Sequence, residues 1–170
     1  MAATVQIRVT YGPSASPTTE TSDAADLNFL GADLGSGETP ADHPVEIPPS
    51  GTNYSYERWF RAYVSDMGGM SKVKNFRVYA NTTSPISGTT IKYGTTTTYA
   101  TPKNTASSVA TSDIPTSEPS ENLYIGGSAG GEITSAGNYT DYGVIQLVVP
   151  STASLAAGSA TITFLWDEVA

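Results

Sequence analysis

The chain has no cysteine. That excludes disulfides, thiolate nucleophiles and zinc sites built on Cys ligands. It has one histidine, His43, too few for an imidazole-based zinc site. Basic residues are scarce, 8 against 16 acidic, and the net charge of −8 disfavours nucleic-acid binding. No apolar run approaches the roughly 20 residues needed to cross a membrane, so no membrane partner is expected. The N-terminal MAATVQIRVTYG lacks a basic region followed by an apolar one, so it reads as a strand and not as a signal peptide. Without such a signal, the triplets at Asn53, Asn81 and Asn138 read as chance matches to a glycosylation pattern in a Thr-rich chain. Helical periodicity is nearly absent, and no internal repeat is visible.

What remains is period-two alternation broken by turn residues, the pattern of an all-β chain. Residues 4–11 place Val5, Ile7, Val9 and Tyr11 on one face. Residues 12–25 are a Pro/Ser/Thr segment that predicts an extended arm or loop. Asp26 to Leu30 predicts a short strand, and Val45 to Ile47 an edge strand between Pro-containing turns. Residues 54–65 and 72–80 predict a hairpin closed by Gly68-Gly69. Weaker strands fall within residues 86–100, and a long polar connection over 101–120. A further strand is expected at Glu121 to Ile125, before the Gly-rich loop GGSAGGE. Residues 142–150 and 160–168 are the strongest strands and are expected to pair antiparallel. About eight strands in a single domain over residues 1–170, with loops of uneven length, favour a β-sandwich of jelly-roll or Greek-key type.

The densest stretch is SYERWFRAYV, residues 55–64. Alternation sends Tyr54, Tyr56, Arg58, Phe60, Ala62 and Val64 to one face, and Ser55, Glu57, Trp59, Arg61 and Tyr63 to the other. Neither set is polar throughout. This suits a strand buried on one side and covered on the other by a loop or a subunit. In the expected partner strand, Val73, Asn75, Arg77 and Tyr79 share one face, and Lys72, Lys74, Phe76 and Val78 the other. One reading is a core Trp and Phe with solvated ion pairs, such as Glu57 with Arg61 or Arg77. The other is an interaction face made of Tyr54, Tyr56, Arg58, Trp59, Arg61, Tyr63 and Arg77, aromatic and Arg-rich as interfaces often are.

No spacing marks a catalytic group, and the chain reads as non-enzymatic. His43 stands beside Asp42 on an extended segment, where neighbouring side chains point apart, and there is no G-x-S-x-G elbow. Glu57, Asp66, Glu132 and Asp141 form no recognisable acid–base pair. Glu20, Asp23, Asp26 and Asp33 lack the spacing of a calcium loop. No metal or cofactor is therefore expected. Tyr54, Trp59 and Tyr63 would be the platform if the sandwich were a carbohydrate-binding module.

The segment SYERWFRAYVSDMGGMSKVKNFRVYAN resembles a pattern in small all-β structural proteins of tailed phages and related viruses. There, a Tyr-Glu-(basic)-Trp strand is followed by a Gly-containing turn and a strand like SKVKNFRVY. VIQLVVPSTASLAAGSATITFLWDE resembles the closing hairpin of such proteins. Together the two segments cover about 50 of the 170 residues. The resemblance implies a virion component assembled in the host cytoplasm. A capsid decoration, or cement, protein would bind the major capsid protein and copies of itself, with homotrimers expected at three-fold lattice positions. A tail or baseplate connector or receptor-binding part, bound to tail proteins, is the alternative it implies.

Overall fold

A computed structural model describes residues 1–19, 27–35 and 37–170 of the chain. It is all-β, with no helix among these residues. The strands are β1 (Thr4–Tyr11), β2 (Thr18–Thr19), β3 (Thr52–Tyr54), β4 (Arg58–Asp66), β5 (Lys72–Ala80) and β6 (Thr90–Thr96). They continue with β7 (Ser112–Asp113), β8 (Glu132–Ile133), β9 (Asn138–Tyr139), β10 (Tyr142–Pro150) and β11 (Ile162–Val169). The larger sheet runs β2-β1-β4-β10-β6-β7, with β3 against β10 and β9 against β4. The smaller runs β11-β5-β8. The two antiparallel sheets are compatible with a single-domain sandwich, as expected. Six of these strands run seven to nine residues, and the other five are two- or three-residue pairings within the loops.

The inner faces follow the alternation. Phe60, Ala62 and Val64 of β4 meet Ile145, Leu147 and Val149 of β10 and Val73, Phe76 and Val78 of β5 in one core. From β11, Ile162, Phe164 and Trp166 pack against that core, and Phe164 meets Phe60 edge-on at 5.4 Å. Gly143 belongs to this contact. A Cβ there would lie 2.4 Å from the Phe60 ring, so only glycine leaves room for the phenyl group.

Both expected hairpins are corrected. β4 and β5 lie in different sheets, because both edges of β4 are already taken, one by β1 and the other by β10 and β9. The Gly68-Gly69 turn therefore crosses the sandwich instead of closing a hairpin. Gly68 has φ +58°, and a Cβ on it would strike the Ala2 carbonyl oxygen at 1.9 Å. The closing strands are separated for the same reason: β10 is flanked by β6 on one side and by β3 and β4 on the other, so β11 crosses over to pair with β5.

The face assignment in β5 is also corrected. Asn75 has φ +53°. Asn75 and Phe76 together oppose Trp166, between the pairs Lys74–Asp167 and Arg77–Leu165. This β-bulge shifts the alternation by one, so Val73 joins Phe76 and Val78 in the core. Asn tolerates the left-handed conformation better than most residues. Here its Nδ2 also donates to Asp167 Oδ2 at 2.7 Å, and Arg77 Nη2 donates to Asp167 Oδ1 at 2.6 Å. The Asn75 hydrogen bond, with help from Arg77, holds the Asp167 carboxyl below its ordinary range.

Three short strands expected from sequence are not formed. Residues 27–30 are irregular, and Asp26 lies outside the described residues. Residues 45–47 are irregular, as their flanking prolines allow. Residues 121–125 contribute isolated bridges, Leu123 to Phe76 and Ile125 to Ser128. The first half of the expected arm forms a turn and β2, which pairs with the end of β1, and residues 20–25 lie outside the described residues.

Candidate interaction face

Among the described residues, the outer face of the larger sheet divides into a covered part and an open part whose side chains are half-exposed. The covered part centres on Trp59, which is 1% exposed. Its ring meets Tyr99 at 5.1 Å and Tyr142 at 5.8 Å, both edge-on, and packs with Val144 and Ala110. Its indole donates to Glu57 Oε2 at 3.1 Å. The cover is part of the 101–120 connection, and it is pinned by two buried polar side chains. Glu57 Oε2 accepts from Lys103 N, while Gln146 Nε2 donates to the carbonyls of Ser55, Lys103 and Thr105. Gln146 Oε1 accepts from Ser107 N at 3.0 Å. A buried amide with these partners fixes the path of a loop that has almost no regular structure of its own. Gly94, opposite Val144 on β6, admits the loop backbone. A Cβ there would lie 1.9 Å from the Val109 carbonyl oxygen.

The open part is a run of alternating tyrosines and arginines. The Arg8 guanidinium lies 3.5 Å from the Tyr63 ring centre and 5.8 Å from that of Tyr139. Arg61 lies 4.1 Å from Tyr139 and 4.3 Å from Tyr142. Tyr142 then touches Trp59 and Tyr99, so the open stack continues into the covered cluster. Strand pairing brings these side chains together. Arg8 and Arg61 are direct partners across β1 and β4, and Tyr63 is the partner of Tyr139 across β4 and β9. Each ring–cation contact is worth about 0.5–1 kcal/mol at a half-exposed site. Arg8 also donates from Nη1 to the Tyr139 hydroxyl at 2.9 Å and from Nη2 to Gln6 Oε1 at 3.0 Å. Arg61 makes no ion pair or hydrogen bond among the described residues, and its Nε is buried without an acceptor.

Of the seven interface residues read from sequence, Arg61 and Tyr63 stand in this open stack. Trp59 is enclosed, so it cannot share a sugar-stacking platform with Tyr54 and Tyr63. Arg58, 1% exposed, points the other way and donates to the Leu34 carbonyl. Near it, Asp33 Oδ2 accepts from Gly12 N at 3.0 Å, and burial pushes the Asp33 carboxyl up, against the pull of that hydrogen bond and of Arg58. Arg77 is in the other sheet, paired with Asp167 and Glu118. Tyr54 is in β3 and Tyr56 in the break before β4, both half-buried. The expected ion pair of Glu57 with Arg61 or Arg77 is corrected, since Glu57 serves Trp59 and the Lys103 backbone. Sequence reasoning missed Arg8, Tyr139 and Tyr142. Their one signal was shared alternation on strands whose pairing is not local.

Elsewhere the described residues offer little chemistry. His43 Nε2 lies 3.0 Å from Glu38 Oε2 on the same loop. Glu20, Asp23 and Asp26 lie outside the described residues, and no group of three metal-binding side chains occurs within them. An open cavity of about 850 Å³ at one end of the sandwich is lined by apolar side chains including Leu27, Phe29, Val45, Ile86 and Leu155, with Glu46 as its charged group. Comparison with protein families, curated proteins and solved structures gave no match.

Proposed function

We propose that this protein is a non-enzymatic virion structural protein. It decorates the outside of a capsid and docks through the open outer face of its larger sheet. The observation that carries the reading is the Arg8–Tyr139–Arg61–Tyr142 stack. Arg and Tyr are enriched where proteins meet, because rigid amphipathic rings and planar guanidinium groups bury area at low entropic cost. The resemblance of residues 55–81 and 144–168 to small phage structural proteins supplies the context.

The mechanism is adhesive. A stable sandwich presents a pre-ordered face to the shell, and contacts to neighbouring capsid subunits raise the barrier to rupture. Copies meeting at three-fold positions would brace one another.

Co-sedimentation of the full chain with shells of the virus that encodes it tests the reading. Expected results are saturable binding and a higher rupture temperature of the decorated shells. Absence from shells, together with recovery in purified tails, would overturn it in favour of a tail or baseplate component.

A further inference from the structure

We propose that Arg8 and Arg61 form a receptor for carboxylates, and that the outer face takes an acidic segment of a partner protein. This rests on the docking-face reading above and adds the chemistry of what docks there. Arg8 and Arg61 are placed directly opposite each other across two strands, an arrangement that like charges disfavour. The chain has twice as many acidic as basic residues, 16 against 8, yet among the described residues neither arginine has a carboxylate partner. The contrast with Arg77 is direct, because Arg77 holds both Asp167 and Glu118.

The pair is also pre-ordered. Tyrosine rings flank both guanidinium groups, and Arg8 is fixed further by two neutral acceptors. In Arg61, burial of Nε leaves the two terminal nitrogens as the free donors. That edge matches the two oxygens of a carboxylate in a forked geometry. Holding it in place beforehand removes much of the entropic cost of docking. A phosphate polyanion carries charge along its whole length, so the net charge of −8 repels it more than a segment with one or two carboxylates. A protein segment with one or two carboxylates meets the arginines at short range and lays its remaining atoms on the tyrosines.

The test is a titration of the full-length protein, followed through the arginine Nε–H resonances. The probes are a short capped peptide alternating threonine and glutamate, its glutamine counterpart, and inorganic phosphate. The glutamate peptide should shift Arg8 and Arg61 and saturate, and the glutamine peptide should not. R8Q and R61Q should each weaken binding by about tenfold, the loss of a charge-assisted contact, while R61K keeps part of it. Unchanged circular dichroism melts identify variants that still fold. An equal response to the glutamine peptide, or tighter binding of phosphate, would overturn the carboxylate assignment. The two readings fail separately. Shell binding that R61Q abolishes, with no response to the glutamate peptide, overturns the carboxylate chemistry alone. Shell binding that survives both R8Q and R61Q overturns the docking face and the inference with it.

Discussion

Trp59→Ala is expected to cost about 3–5 kcal/mol, the range for truncating a fully buried aromatic side chain. Three effects act together. The largest is loss of a ring packed between Tyr99, Tyr142 and Val144. The second is exposure of Glu57, whose Oε2 then has only the Lys103 amide. The third is collapse or hydration of the space under the covering loop. Domains of this size have a total stability of about 5–15 kcal/mol, so the change is a large fraction of the whole. At about 2–4 °C per kcal/mol, the thermal midpoint should fall by about 10 °C. Trp59→Phe should recover much of that loss. A Trp59→Ala melt within a degree or two of the wild type would mean that the outer cluster contributes nothing to stability.

Gly94→Ala should lift the covering loop. The atoms that a new methyl group would meet are backbone: the Val109 carbonyl at 1.9 Å and 2.7 Å, and the Ala110 Cα at 3.3 Å. No rotamer change relieves that clash, so the segment must move. Its pins at Lys103, Thr105 and Ser107 are then strained. Overpacking of this kind costs about 1–3 kcal/mol. The effect is local, which gives it a specific readout. Both the amide and the carbonyl of Lys103 are bonded to the sheet in the wild type. Trypsin should cleave after Lys103 roughly tenfold faster or more in the variant, because cleavage follows the population of the locally opened form. An unchanged cleavage rate together with an unchanged melt would show that the loop does not rest on Gly94.

What the sequence made legible was the faces of strands. The alternation in residues 58–64 separated Phe60, Ala62 and Val64 from Trp59, Arg61 and Tyr63, and these sets do lie on opposite sides of β4. The same alternation places Ile145, Leu147 and Val149 in the core and Val144 in the outer cluster. What was not legible was which strand lies beside which. Proximity in the chain favours hairpins, but an edge can be used once, and β4 and β10 spend both edges on distant strands. Alternation also failed where a single residue resets it: nothing in KVKNFRV shows that Asn75 takes a positive φ and turns Val73 inward.

The same limit governed the candidate face. Arg61 and Tyr63 stood out because they sit in one dense stretch. Arg8 lay more than fifty positions away in the sequence, and Tyr139 sat in what read as a chance glycosylation triplet. Only the register of β1 on β4 and of β9 on β4 puts them side by side.

The central claim is that the protein acts as an adhesive module through the open outer face of its larger sheet. Hydroxyl-radical footprinting of free and shell-bound protein tests it most directly, because tyrosine rings report their own exposure. Tyr63 and Tyr139 mark the outer face of the larger sheet, while Tyr79 on β5 marks the outer face of the smaller one. On docking, oxidation of Tyr63 and Tyr139 should fall while that of Tyr79 stays as in the free protein. Protection of Tyr79, with Tyr63 and Tyr139 oxidised as before, would contradict the claim.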